Sequence, residues 1–467
     1  MRQLVWVMLA TLLSIGCGDD DDTSLDGAAG EGGADTGAGG EGATGGDATG
    51  SGGATCEAEG EGTLDVEIVS PNDTGNVTVA PDGLTEDPVV SSASLEGPAG
   101  EYTLTAGVVT EYPTDERVGY VYRADDPERS VCVADGATSE VSFEYALVPG
   151  SHQLWFTSQN GDQLTGSLEG DLLLESGEVE PAVQFQGSAE IITQNAVAFD
   201  SLGNLWVSAS DGQITVRLAE NLGESSDEEP DRVLDVSDAC GNVIPCVAGG
   251  LAFDDEGNLW VGIRDHLLRI DAADLEGSGV VEPGVTITGD EIEDVEALAF
   301  DDAGNLWVAS AAQDSILMYE SSRLDADDEE PADVVLTGLT PEPVVGDLRG
   351  PRGLAFDEDG ALWAVFWTSN IIVKFEPEEL EESAELTPEV QLDVSVLALP
   401  ENIAFDQQGN LWFPAATGEI AAIAKAELVA DGDISSGVTL LTSDAFGSVI
   451  DLAFNPPPDW SPIRGPE

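Results

Sequence analysis

A ten-residue phrase, Leu251-Ala-Phe-Asp-Asp-Glu-Gly-Asn-Leu-Trp260, returns in altered form along two-thirds of the chain, and it constrains the fold before any single side chain does. Its Phe falls at 199, 253, 300, 356, 405 and 454, so five intervals span 255 residues and average 51. A period of about 50 residues with four short strands per unit is the spacing of a β-propeller. Each unit reads as an apolar strand ending in Phe-Asp, a tight turn, and a second strand that carries Trp. The Gly of the phrase supplies the positive φ that the turn needs.

A third apolar strand follows in each unit: Ile214 to Leu218, Leu267 to Ile270, Ile316 to Tyr319, Ile371 to Phe375 and Ile420 to Ala424. An acidic loop and a fourth strand, such as Val334 to Leu336, complete a blade. Trp206, Trp260, Trp307, Trp363 and Trp412 follow the first five Phe markers, but Phe454 is followed only by a Pro-rich stretch. The missing strands lie upstream: His152-Gln-Leu-Trp155-Phe-Thr matches a second strand, Leu164 to Leu168 a third, and Ala182 to Phe185 a fourth. The sequence thus predicts six blades over residues 151–463. The sixth is composite, with its inner strand (Val449 to Phe454) drawn from the C-terminal side, a closure that leaves no open strand edge. The regular Trp residues share the apolar register and read as core.

The first 62 residues speak to address. Arg2 precedes an apolar stretch from Leu4 to Ile15 that is too short to span a bilayer and has the flanks of a secretory signal. The segment Leu13-Ser-Ile-Gly-Cys17 resembles the lipobox of bacterial lipoproteins. That resemblance implies cleavage before Cys17, acylation of its thiol, export, and anchoring to the outer membrane at its periplasmic or cell-surface side. Residues 18–62 are nearly all Gly, Ala, Asp, Glu, Thr and Ser and read as a flexible, charge-extended tether. Four Cys remain: Cys56, Cys132, Cys240 and Cys246. An even number in an exported chain suggests two disulfides with three possible connectivities, and proximity favours Cys56 with Cys132 and Cys240 with Cys246.

Between these segments, residues 63–150 form a second globular unit. Leu64 to Val69, Asn76 to Val79, Tyr102 to Ala106, Gly119 to Tyr122, Ser130 to Val133 and Glu140 to Tyr145 alternate apolar and polar residues between turn signals. They read as short antiparallel strands of a small β-sandwich. The run Gly97-Pro-Ala-Gly-Glu-Tyr-Thr-Leu-Thr-Ala106 resembles the strand-entry motif of transthyretin-like and immunoglobulin-like modules.

The balance of 92 acidic against 14 basic residues, net −78, excludes binding to nucleic-acid phosphates and to anionic headgroups. It fits either a surface adapted to high salt or cation capture. The acidic runs Asp227 to Asp231, Asp325 to Glu330 and Glu376 to Glu385 lack the spacing of a calcium loop and read as solvated surface that makes one face strongly negative.

The repeated unit, as in Gly353-Leu-Ala-Phe-Asp-Glu-Asp-Gly-Ala-Leu-Trp363, resembles the NHL-repeat and gluconolactonase (senescence-marker-protein-like) group of six-bladed propellers, and streptogramin lyase more distantly. The resemblance implies a ligand or metal where the inner strands begin, at the mouth of the central channel. The two residues that open each inner strand can be aligned from the phrase. The outer position holds Asn195, Gly249, Glu296, Arg352, Glu401 and Ile450, and the next holds Ala196, Gly250, Ala297, Gly353, Asn402 and Asp451. Ligand-binding candidates are therefore Asn195, Glu296, Arg352, Glu401, Asn402 and Asp451. Trp367 joins them, because it breaks the Trp register and follows the second strand on the face of the mouth. Glu401, Asn402 and Asp451 offer hard oxygen ligands suited to Ca²⁺ or Mg²⁺.

The reading is a monomeric, surface-anchored propeller that binds a protein, carbohydrate or small molecule at the mouth without turning it over, and no catalytic residue is assigned. An alternative from a different class is a divalent-metal lactonase or esterase, in which the metal polarises the carbonyl and activates water. A third places a structural, adhesive role in the sandwich. A lyase with a His general base is disfavoured, because the only histidines, His152 and His266, lie outside the ring of mouth residues.

Overall fold

The computed structural model describes residues 56–461 apart from 57–58, 82–83, 85–87, 160–163, 187–193, 241–245, 247, 339–349, 387, 389, 396, 398, 416–417, 430 and 435–437. The signal segment, Cys17, most of the expected tether and residue 463 lie outside the described residues. Among those described, secondary structure is β-strand and one-turn 3-10 helix, and no helix is long and apolar enough to cross a membrane.

Six sheets repeat one plan, in which each strand pairs with the next from the channel outward. Their inner strands are Gln194–Phe199, Ala248–Phe253, Val295–Phe300, Pro351–Phe356, Ala404–Phe405 and Val449–Asn455, and they define blades one to six. Blade six is composite as expected: Val449–Asn455 pairs with Gln153–Ser158, which pairs with Leu164–Glu169 and then Val183–Gln186. The Trp of every blade is buried edge-on against the Phe of the next: Trp206 on Phe253, Trp260 on Phe300, Trp307 on Phe356, Trp363 on Phe405, Trp412 on Phe454 and Trp155 on Phe199. Centroids lie 5.5 to 6.5 Å apart with interplanar angles of 63 to 76°. Each such contact adds about 0.5–1.5 kcal/mol beyond area burial. The last pair joins blade six to blade one and closes the circle.

The polar residues of the phrase have an equally definite use. In blade three, Asp301 Oδ1 accepts the N–H groups of Ala303 and Asn305 at 2.9 Å, while Oδ2 accepts Asn305 Nδ2 at 2.9 Å and Trp307 Nε1 at 3.0 Å. Asp200, Asp254 and Asp406 repeat this in blades one, two and five. One carboxylate thus shapes the turn and satisfies the indole donor of a buried Trp. The Asn Oδ1 then accepts the first N–H of the one-turn helix after the third strand: Asn204 from Ala219, Asn258 from Ala272, Asn305 from Ser321 and Asn410 from Lys425. Blade four has Ala361 in place of Asn, and the helix residue there is Pro377, which has no N–H to donate. Blade six has Asn455 in place of Asp, and Trp155 Nε1 donates instead to Gly150 O at 3.0 Å.

The acidic loops, expected as solvated runs, also carry backbone pairing. Gly279–Val280 in blade two lies parallel to the outer strand Arg232–Asp235 of blade one. Ala384–Leu386, Gly432–Asp433 and Gly177–Glu178 cover the outer strands of blades three, four and five in the same way. Single bridges, Ser226 to Phe185 and Asp328 to Ile287, do so for blades six and two. Each loop therefore masks the exposed edge of the preceding blade.

The N-terminal unit packs two sheets around Leu64, Val66, Val77, Leu104, Phe143 and Tyr145. Its strands are β1 (Glu61–Val69), β2 (Val77–Ala80), β3 (Ala93–Pro98), β4 (Gly100–Ala106), β5 (Val109–Glu111), β6 (Tyr120–Ala124), β7 (Glu128–Val133) and β8 (Thr138–Leu147). The sheets run β3-β1-β8-β6-β5 and β2-β4-β7. Two details depart from expectation. β3 and β5 were not read from the sequence, the one because it ends in a Gly-Pro turn signal and the other because three residues are too few to show alternation. In addition, β1 and β8 pair parallel, not antiparallel, which is possible because they are the first and last strands and the rest of the unit forms the crossover. β1 begins at Glu61, two residues before the expected start of the sandwich at residue 63.

Cys56 and Cys132 are bonded, with Cα atoms 5.8 Å apart. Cys246 is buried and disulfide-bonded, and the side chain of its expected partner Cys240 lies outside those described. The sandwich sits against the Asp-Gly turns of blades five and one. Arg117 Nη1 meets Asp406 Oδ2 at 3.0 Å, and Asp406 is fully buried beneath it. Gln407 N donates to Arg117 O at 2.8 Å, Tyr112 Oη to Pro457 O at 3.0 Å, and Arg123 Nη2 to Leu202 O at 2.9 Å. At that end the channel is an apolar cavity of about 210 Å³ walled by Ala198, Ala252, Ala299, Ala355, Ala404 and Ala453, with Pro457, Pro458 and Trp460 of the C-terminal stretch against it.

Candidate functional site

At the opposite end of the channel the inner strands begin, and a pocket of about 120 Å³ opens there. Its walls include Asn195, Glu296, Arg352, Glu401, Asn402 and Asp451, so the structure brings together six of the seven ligand-binding candidates read from the sequence. The seventh, Trp367, opens a one-turn helix after the second strand of blade four, and its ring lies 4.7 Å from the Arg352 guanidinium carbon. Glycine permits the close approach of neighbouring inner strands. A Cβ on Gly249 would lie 1.9 Å from Val295 O, and one on Gly353 would lie 2.6 Å from Asn402 Oδ1.

Arg352 is the organising charge. Its Nη1 pairs with Glu401 Oε2, its Nη2 lies 3.5 Å from Glu296 Oε1, and its face covers Trp367. Burial pushes both carboxyls above the ordinary glutamate range, and the guanidinium pulls each part of the way back. The Trp367 indole N–H lies close enough to Glu401 to favour its charged form, yet makes no hydrogen bond of acceptable geometry.

Asp451 is wholly enclosed, and burial raises its carboxyl to about 7. Its oxygens are taken up by neighbours: Oδ2 accepts Val197 N of blade one at 2.8 Å, and Oδ1 accepts Leu452 N at 2.7 Å and Asn402 Nδ2 of blade five. Asn402 Oδ1 in turn accepts Ile403 N at 2.7 Å. The oxygens of Glu401, Asn402 and Asp451 therefore face guanidinium and N–H donors in place of a shared centre. Those of Glu296, Glu401 and Asp451 are not among the described groups whose ligand atoms converge within 4.8 Å.

The alignment missed Gln159, which comes from the end of a second strand. It donates to Gln194 O at 3.1 Å and Asn195 Oδ1 at 3.2 Å, and Asn195 Nδ2 donates to Ser210 Oγ at 3.2 Å. Only the composite nature of blade six could have signalled it, since Gln159 is separated from its inner strand by nearly the whole propeller. His266 lies away from the mouth, with Nε2 3.0 Å from Ala239 O. His152 faces the sandwich, with Nδ1 2.9 Å from Val118 O.

Fold and site together define a six-bladed β-propeller with a polar pocket at the start of its inner strands. Among solved structures, the chain is similar to a protein of unknown function from Bacteroides caccae, with 12% identity, a TM-score of 0.43, and coverage of 65% of this chain and 98% of that one. It is similar to streptogramin B lyase at 16% identity and a TM-score of 0.39, over 59% and 77% of the two chains. A catalytically inactive virginiamycin B lyase from Staphylococcus aureus with quinupristin shares 11% identity and a TM-score of 0.38, over 85% and 93%. No protein-family model matches the chain, and no curated protein does.

Proposed function

We propose that the propeller is an exported recognition module that binds a small, neutral, hydroxyl-rich ligand of the carbohydrate class at the channel mouth without turning it over. One observation carries the reading. The charged groups of the mouth are spent on one another, Arg352 on Glu401, Glu296 and Trp367, and Asp451 on three N–H donors. The pocket is lined by planar amides, carboxylates and one guanidinium, group types that suit hydroxyls as both donors and acceptors. Three carboxyls against one guanidinium disfavour an anionic ligand. In this reading Cys17 carries the acyl chains and residues 18–62 hold the module away from the outer membrane.

The test is titration of the full chain with neutral mono- and disaccharides, followed by tryptophan fluorescence, in wild type, Arg352→Gln and Trp367→Ala. Saturable binding weakened at least about tenfold in both variants is expected, a loss of about 1.4 kcal/mol. Absence of binding to every saccharide, together with Ca²⁺-dependent δ-lactone hydrolysis that Glu401→Gln abolishes, would replace this reading with the lactonase. Radiolabelled palmitate should label the wild type and not Cys17→Ala, and labelling of both would remove the anchor.

A further inference from the structure

A second group of chemistry-bearing side chains lies far from the mouth, where the sandwich meets the closing blade. Glu116 comes from the loop between β5 and β6, and His152 immediately precedes the strand Gln153–Ser158 of blade six. Asp171 sits in the one-turn helix Gly170–Leu173 that follows the next strand. One ligand atom from each converges within 4.8 Å.

Three features set this group apart from ordinary surface carboxylates. First, the imidazole tautomer is fixed. His152 Nδ1 lies 2.9 Å from Val118 O, and a carbonyl only accepts, so the proton is on Nδ1 and the lone pair on Nε2. Second, His152 Nε2 and Glu116 Oε2 are both buried without a hydrogen-bond partner. Two buried acceptors facing one space are unfavourable unless a cation fills it. Third, the ring is held in place. Tyr120 stacks on it with centroids 3.9 Å apart and planes 9° apart, and a Cβ on Gly170 would lie 2.5 Å from Nε2. His152 itself has φ +59°, a left-handed conformation uncommon for a non-glycine residue, which aims the ring.

We propose that Glu116, His152 and Asp171 form a site for a divalent transition metal of the zinc class that clasps the sandwich to the closing blade. An imidazole oriented by a backbone carbonyl through its other nitrogen is the usual support of a metal-bound histidine. One nitrogen and two carboxylate oxygens suit Zn²⁺ better than Mg²⁺ or Ca²⁺, which take oxygen almost exclusively. The neighbouring cation does not compete, because Arg117 is committed to the buried Asp406. Asp171 is exposed and gives the ion a way in. A bound ion would link three segments, one from the sandwich and two from the blade that closes the ring.

The experiment is Zn²⁺ titration of the full chain against a chromophoric chelator, in millimolar Mg²⁺ and high salt that occupy the diffuse acidic surface. Co²⁺ absorption provides a second reading of coordination. One equivalent should bind and raise the thermal midpoint. Glu116→Gln, Asp171→Asn and His152→Asn should each weaken binding by at least about tenfold and alter the Co²⁺ spectrum. Asn is chosen at 152 because it tolerates the left-handed backbone, and near-UV circular dichroism with chelator present establishes that each variant is folded. Binding that does not saturate at one equivalent, or that is unchanged in the two folded carboxamide variants, overturns the proposal.

Discussion

Replacing Asn204 with Ala isolates the least obvious element of the repeated phrase. Asn204 and Ala219 are 7% and 4% exposed, so losing the Oδ1 acceptor strands the Ala219 N–H away from water. An unsatisfied buried donor costs about 1–3 kcal/mol. The variant also loses the bond from Asn204 Nδ2 to Asp200 Oδ2 at 2.8 Å, one of a kind worth about 1.5–3 kcal/mol. Asp200 keeps its bonds to two backbone N–H groups and to Trp206, so the terms overlap and the expected loss is about 2–4 kcal/mol. Guanidinium denaturation followed by tryptophan fluorescence should show a lower midpoint at unchanged slope. Blade four supplies the converse. Ala361→Asn places an amide oxygen where Pro377 offers no N–H, and Pro377→Ala restores the donor, so the double variant should be more stable than the sum of the two singles by about 1 kcal/mol. A loss below about 1 kcal/mol for Asn204→Ala, or strict additivity in blade four, would refute the assignment of the Asn.

Other expectations follow from single features. Asp451 is raised from 3.8 to about 7 by burial, so its folded form holds a proton that the unfolded chain releases. Its contribution to stability is fully present below pH 3.8 and is lost as pH rises through 7. At about 1.36 kcal/mol per pKa unit this amounts to about 4 kcal/mol. The stability difference between wild type and Asp451→Asn, measured by urea denaturation, should change by about that amount between those limits, and a flat difference would refute it. With a net charge of −78, raising NaCl from low to molar concentration should raise the thermal midpoint by calorimetry, and a fall would exclude self-repulsion as a destabilising term. Cys56 and Cys132 are separated by 76 residues, so Cys132→Ser should cost about 4 kcal/mol in the chain-entropy account, read from the denaturation midpoint with and without reductant.

The propeller was legible because its information is repeated and local. The Phe, Asp, Gly, Asn and Trp of the phrase act within one turn and one neighbouring blade, so their spacing survives in the sequence. The mouth was legible for the same reason, since five of the six inner strands begin five residues before their Phe; in blade five the strand is only Ala404–Phe405, and Glu401 and Asn402 precede it. What stayed hidden is long-range or specific to one place. No spacing announces that Arg352 would draw Glu296 and Glu401 to itself, or that Asp451 would be consumed by Val197 and Asn402. Gln159 and the parallel pairing of β1 with β8 depend on segments far apart in the chain. The edge pairing made in the acidic loops was not legible, because carboxylate content describes side chains, whereas that pairing is made by the backbone.

That pairing has a consequence for how the ring can be cut and rebuilt. Because each third-to-fourth loop supplies the edge cover of the blade before it, the unit of sequence repeat and the unit of mechanical independence are out of phase by one strand. A blade excised at its repeat boundaries would strip its predecessor and leave a sticky strand behind. A graft, permutation or duplication that keeps the molecule soluble would have to move an outer strand together with the following blade's loop.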